Sequence, residues 1–179
     1  MKTISLIFLL VSSLALTTGT SFIEPTLTIN QMIEDWQRAK LYTKEYLDVM
    51  PKEGYSFKPT PEIRRFAQQY LHIAAVNYRY VAAATGRNNP YPGDSLEQRT
   101  DMQSKAAVTD VTMKSYDAVI DALKSLTEAN MNEKAKLYDV ELTKEEIFLK
   151  GFEHQTHHRG QTTIYARLKG VKPPGERLF

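Results

Sequence analysis

Apolar residues recur at helical spacing in four stretches of this chain, with turn chemistry between them. In the first, Ile29, Met32, Ile33, Trp36, Ala39, Leu47 and Met50 return every three or four residues for much of the way, the period of one helix face. Thr28 and Gln31 fit a capping box at its start. Pro51 and Lys52-Glu53-Gly54 end it. The second stretch opens on Pro59-Thr60-Pro61-Glu62, which predicts Thr60 as N-cap and Pro61 in the first turn. Ile63, Phe66, Tyr70, Ile73, Asn77 and Val81 form its face, and Gly86 closes it. The third runs from Met102 to Thr127 on Val108, Val111, Tyr116, Val119, Leu123 and Leu126. The fourth starts at a second capping box, Thr143-Lys144-Glu145-Glu146, and runs to about Lys169. Gly170 and then Pro173-Pro174 stop it.

Two segments interrupt the helices. Arg87 to Thr100 contains Asn88-Asn89-Pro90-Tyr91-Pro92-Gly93-Asp94. Long loops in small domains are often functional, and a plain crossover accounts for this one equally well. Glu128 to Leu142 is polar and irregular, with room for a short hairpin around Lys136-Leu137-Tyr138. Four amphipathic helices without a strand-rich region predict an all-α four-helix bundle with a long crossover loop.

The N-terminus has a different character. Met1-Lys2-Thr3 is a positive start, Ile4 to Leu16 is almost wholly apolar, and Thr17 to Ser21 is small and polar. That order predicts a secretory signal peptide over residues 1–21, cleaved near Thr20 or Ser21. The apolar run is shorter than the ~20 residues of a spanning helix. The expectation is an exported protein, periplasmic or extracellular, with one domain over residues 22–179 and no stable membrane insertion after cleavage. Removing Lys2 leaves 22 basic against 21 acidic residues. Such a balance predicts no nucleic-acid partner. Cysteine is absent, so a transition metal would have to be held by His, carboxylate or water.

The chemistry concentrates in Phe152-Glu153-His154-Gln155-Thr156-His157-His158-Arg159-Gly160-Gln161, which holds three of the four histidines. His154 and His158 are four residues apart, which stacks their side chains on one helix face about 5–6 Å apart at Cβ. They occupy the stripe Ile147, Gly151, His154, His158, Gln161 or Thr162, Tyr165, Leu168, where a bundle places core residues. Buried imidazoles need partners. One bland solution is a carbonyl or carboxylate for each ring. A pair with a third histidine available, His72, favours a metal. His72 flanks the second helix beside Gln69, Val76 and Ala83, and its period leaves it facing either the bundle axis or solvent. His157 is rotated about 100° from His158, toward the rim of such a site or the surface. The metalloprotease pattern is absent because Gln155, not Glu, follows His154. The di-iron pattern fails because Thr156 stands three residues after Glu153.

These segments resemble the DinB/YfiT-like family of metal-dependent enzymes. The resemblance rests on Phe57-Lys58-Pro59-Thr60-Pro61-Glu62-Ile63-Arg64-Arg65-Phe66, Leu71-His72-Ile73-Ala74 with Asn77-Tyr78, His154 to Gln161, and the tail Tyr165 to Pro174. It implies a DinB-like four-helix bundle with one divalent metal on His72, His154 and His158. It also implies a homodimer as a common assembly, and thiol-dependent transfer or isomerisation among relatives.

Three neutral imidazoles leave an open metal position, where water is acidified or a carbonyl polarised. The expected function is a metal-dependent hydrolase or small-group transferase, thiol-dependent transfer included, acting on a small-molecule substrate. Zinc or nickel is the first choice of metal, iron or manganese the second. Water at the open position would act, with Gln161 and Glu153 as candidate helpers. His157, Trp36 and Tyr165 are candidates to surround the site, although Trp36 and Tyr165 also suit the core. Arg159 suits an anionic substrate, a surface contact or a dimer contact equally. The alternative is a non-catalytic, metal-binding stress-response bundle whose metal fastens the second helix to the fourth.

Overall fold

A computed structural model describes residues 27–93 and 96–179. The expected leader lies outside the described residues. Four long helices form the body: α1 (Ile29–Val49), α2 (Phe66–Thr85), α3 (Lys105–Lys124) and, after the short α4 (Glu128–Met131) and a hairpin, α5 (Lys144–Leu168). Helix α2 packs against both α3 and α5, and α1 packs against the same two. Around the bundle the order is therefore α1, α3, α2, α5, with α1 and α2 on one diagonal.

The helix ends follow local chemistry. Thr28 accepts from the Gln31 N–H, and the Gln31 side chain accepts from the Thr28 N–H. Thr143 and Glu146 do the same for α5. These are the two capping boxes read from the sequence. At the other end of α5, the Gly170 N–H donates to the Arg167 carbonyl and the Val171 N–H to the Ala166 carbonyl. This double closure puts its central residue at positive φ, and Gly170 sits at 71°.

Helix α2 corrects the predicted start at Thr60-Pro61. It begins at Phe66, and Ile63 is exposed rather than part of the inner face. Its first N–H groups already have partners: Phe66 donates to the Phe57 carbonyl and Ala67 to the Tyr55 carbonyl. Backbone of the preceding segment does the work of a capping side chain. Helix α3 starts later than expected, where the Ser104 hydroxyl accepts from the Ala107 N–H. The crossover before it carries two single turns, Leu96–Gln98 and Thr100–Met102. The hairpin pairs β1 (Lys134–Leu137) with β2 (Val140–Thr143) in antiparallel register, Leu137 opposite Val140. Tyr138 turns the chain at φ 54°, and its hydroxyl accepts from Arg79 Nη1 at 2.7 Å.

The core is continuous through all four long helices and is rich in rings. Trp36 is buried, with Tyr116 and Phe152 edge-on at 5.7 and 5.6 Å. It packs in the core and borders a small cavity of about 30 Å³. Gly151 explains how the indole fits: a Cβ there would stand 3.2 Å from Tyr80 and 3.5 Å from Trp36. Leu168, placed in the inner stripe by period, is exposed at the last turn of α5.

Trp36→Ala should therefore lower unfolding stability by about 3–5 kcal/mol, measured by urea denaturation. A loss below about 1 kcal/mol would mean the indole packs against solvent-filled space instead.

Candidate metal centre

His72 on α2 and His154 and His158 on α5 meet where these two helices pack. Their ring centroids are 4.5 to 5.0 Å apart. One candidate ligand atom from each ring lies within 4.8 Å of the others. His158 is buried, while His72 and His154 are half-buried. Of the two directions open to His72 in the sequence, the structure takes the one toward the bundle.

Hydrogen bonds on the outer nitrogens decide which atoms point inward. The Tyr165 hydroxyl donates to the Arg64 carbonyl at 2.6 Å. Its single proton is thereby used, so its oxygen accepts from Gln69 Nε2 at 3.0 Å. The Gln69 carbonyl oxygen then faces His158 Nδ1 at 2.8 Å. An amide oxygen only accepts, so Nδ1 carries the proton and His158 presents a bare Nε2 lone pair. Burial, opposed by the Gln69 and Arg64 contacts, raises the Tyr165 hydroxyl above its ordinary value, which keeps it a donor.

His72 is fixed in the same way by an acid. Its Nδ1 lies 3.4 Å from Glu97 Oε1. Arg64 holds the same carboxylate through Nε and Nη2. Burial pushes the Glu97 carboxyl up, but hydrogen bonds from His72 and Arg64, with their charges, outweigh it and hold the group at about 2. The ionised carboxylate can only accept, so His72 Nδ1 is the donor, and in the neutral ring Nε2 is left bare. The turn carrying Glu97 is anchored by buried Leu96 and by Gln68 and Gln103, whose amides donate to the Glu97 carbonyl.

His154 supplies the third nitrogen. Its Nε2 lies 3.1 Å from His72 Nε2, while its Nδ1 is buried without a hydrogen-bond partner among the described residues. Two nitrogens on one tetrahedral ion at roughly 2.0–2.1 Å stand about 3.3–3.4 Å apart. The observed spacing is close to that, so the residues fit a small divalent cation. Burial, followed by the neighbouring imidazoles, lowers His154 to about 4 and His158 to about 3. Both rings are neutral near pH 7, the state a metal requires.

The remaining candidates fall elsewhere. His157 is exposed, stacks edge-on against His158 at 5.0 Å and bonds Gln161. Gln161 is itself exposed and turned to His157, and the inner position belongs to buried Thr162, bonded to Tyr70. The rotation between adjacent residues carries Gln161 off the inner face and onto His157, at the rim of the cluster. Glu153 is exposed and outside the cluster. Tyr165 is buried and supports His158 through Gln69. Arg159 is buried against α1, on the other side of α5 from the cluster. Sequence reading missed Glu97, Arg64 and Gln69 as partners of the histidines. The available signals were the long loop holding Glu97 and the shared flank of Gln69 and His72.

A sequence profile of the DinB family matches residues 23–177. The chain belongs to the DinB family. A curated relative, an uncharacterized protein YjoA of Bacillus subtilis strain 168, is 23% identical over 146 residues, covering 79% of this chain and 90% of YjoA. Crystal structures of DinB-like proteins share the fold. One from Bacillus cereus ATCC 10987 has a TM-score of 0.74 at 22% identity, covering 84% of this chain and 99% of the other. YjoA itself superposes with a TM-score of 0.64 at 20% identity, covering 84% and 96%. A conserved protein of Enterococcus faecalis gives 0.66 at 14% identity, covering 80% and 98%.

The lowered imidazole values contribute to the pH dependence of the metal-free protein's stability. Unfolded, His154 and His158 take protons near 6.5; folded, they resist to about 4 and 3. Their contribution to stability is thus present above pH 6.5 and lost as pH falls toward 3. In EDTA, Tm should fall between pH 7 and pH 5, and His158→Gln should flatten that slope. An unchanged slope in the variant would show that His158 is not held neutral by the fold.

Proposed function

We propose that this DinB-family protein holds one divalent metal on Nε2 of His72, His154 and His158 and uses it to hydrolyse a small-molecule substrate or transfer a small group to or from it. Zinc or nickel is preferred, and iron or manganese suits the same donors. The observation that carries this reading is the convergence of the three rings with Nδ1 of His72 and His158 each committed to an acceptor. When bound, the metal supplies Lewis acidity, which acidifies a water or thiol and polarises a carbonyl or phosphoryl oxygen.

The protein's own part is positioning. Glu97 orients His72, and Gln69, backed by Tyr165, orients His158. Such outer partners also strengthen the imidazole as a donor. Among the described residues the cluster contains three ligands. The nearby Glu97 carboxylate is already taken by Arg64 and His72, and His157 is engaged with Gln161. A closed structural site needs a fourth protein ligand, so this arrangement favours an open coordination place, and with it catalysis, over a purely structural metal. The leader-like N-terminus supports export. A thiol cosubstrate and a homodimer come from the family resemblance alone. Among the described residues no helix is long and apolar enough to cross a membrane.

Elemental analysis of purified protein should give about one metal ion per chain, from the single three-ligand cluster. His72→Ala should lose it. Gln69→Leu should keep the ligands but bind zinc about 10–100-fold more weakly in a competition titration. Stoichiometric metal retained by His72→Ala would remove that residue from the site and overturn the assignment. Loss of hydrolytic or thiol-transfer turnover on chelation, and its recovery with metal, would separate catalysis from a structural role.

A further inference from the structure

Arg159 is a cation that the histidine cluster does not use. Only 7% of it is exposed. Its Nη1 reaches inward, donating to Gln155 Oε1 at 2.6 Å and, more distantly, to Thr43 Oγ1 and the Ala39 carbonyl at 3.4 and 3.5 Å. Its guanidinium carbon lies 4.6 Å from the centre of the Tyr42 ring. Each of these partners is neutral. A buried charge without an opposite charge is costly, and here the inward acceptors and the ring offset only part of that cost.

The other edge of the same guanidinium is unused. Among the described residues, Nε and Nη2 of Arg159 make no protein hydrogen bond. Nε–H and Nη2–H form one rigid fork whose spacing matches two oxygens of a carboxylate or phosphate. Arg159 lines a groove of about 340 Å³ between α1, α5 and the C-terminal tail. Arg167, two turns further along α5, lines it too, with Tyr46 and Thr163 on its walls. Tyr46 and Thr163 bond each other at 2.8 Å and fix that side. The one carboxylate lining the groove, Glu176, is exposed and forms no ion pair with either arginine among the described residues. Two cations thus face one carboxylate.

We propose that this groove binds a small oxyanion, a carboxylate or phosphate group, gripped by the Nε–Nη2 edge of Arg159 and drawn in by Arg167. The site is on the α1 side of α5, whereas the histidines face α2, so it stands whether or not the histidines hold a metal. Arg167 and Glu176 are exposed, so their substitution leaves the fold intact and tunes the groove in opposite directions.

The test is a titration of EDTA-treated protein with inorganic phosphate and, separately, with acetate, at ionic strength held constant with chloride. The readout is the Arg159 Nε–H resonance in a nitrogen-15 NMR spectrum, assigned by its loss in Arg159→Lys. Saturable movement of that resonance is expected with one or both anions, and the stronger arm identifies the oxyanion class. Arg167→Gln should weaken binding about tenfold and Glu176→Gln should strengthen it several-fold, the scale of single charges near a partly buried site. A resonance that stays in place up to about 50 mM of both anions, weaker than any useful affinity, would overturn the proposal. Equal binding in wild type and Arg167→Gln would overturn it as well. Should Arg159→Lys fail to fold, through-bond correlation from the assigned Arg159 backbone to its Nε–H in the wild type still assigns the resonance.

Discussion

Everything at the centre of this protein depends on where the outer nitrogens of two imidazoles send their protons. His158 gives its Nδ1 proton to Gln69, and His72 gives its own to Glu97. Each bond fixes a tautomer, and each tautomer turns a bare Nε2 inward. Burial and the neighbouring rings keep these imidazoles neutral, and their inward lone pairs, which lack strong donors, are what costs the fold free energy. The cation proposed here would satisfy what the protein alone leaves incomplete. Local sacrifice of stability for such an arrangement is what functional sites show in otherwise consistent folds.

The bundle makes this possible through its order. Helix α2 lies between α3 and α5, so it is buried on two sides and can carry a core stripe and the flank holding Gln69 and His72 together. Helix α5 supplies two histidines from one face, and the capping box at Thr143 and the Gly170 closure set its limits. The crossover between α2 and α3 brings Glu97 back onto α2. Arg64, just before α2, holds Glu97 through its side chain and Tyr165 through its carbonyl. A single residue therefore ties together the supports of His72 and His158.

Much of this was legible before any coordinates. The spacing of His154 and His158, the absence of cysteine and the apolar periods place a histidine pair inside a helical bundle, with His72 available as a third ligand whose direction the period left open. The caps at Thr28 and Thr143 follow from short local patterns. What escaped depended on contacts distant in sequence. The start of α2 is set by the carbonyls of Tyr55 and Phe57, so Thr60 offered a false cap. Glu97 lies in a loop whose path no periodicity encodes. Gln69 had the correct flank, yet its role is visible only through Tyr165. Gln161 and Thr162 competed for one position, and a rotation of about 100° per residue separates a helper from a core residue. Arg159 suited a substrate, a surface contact or a dimer contact equally in the sequence, because its acceptors, Thr43 and Ala39, belong to α1.

X-ray absorption spectroscopy on metal-loaded protein tests the central arrangement most directly. Three imidazole nitrogens should surround the ion, completed by one or more solvent oxygens that a small added thiol can displace. Two imidazoles, or a fourth ligand from the protein that no thiol displaces, would contradict an open three-histidine centre.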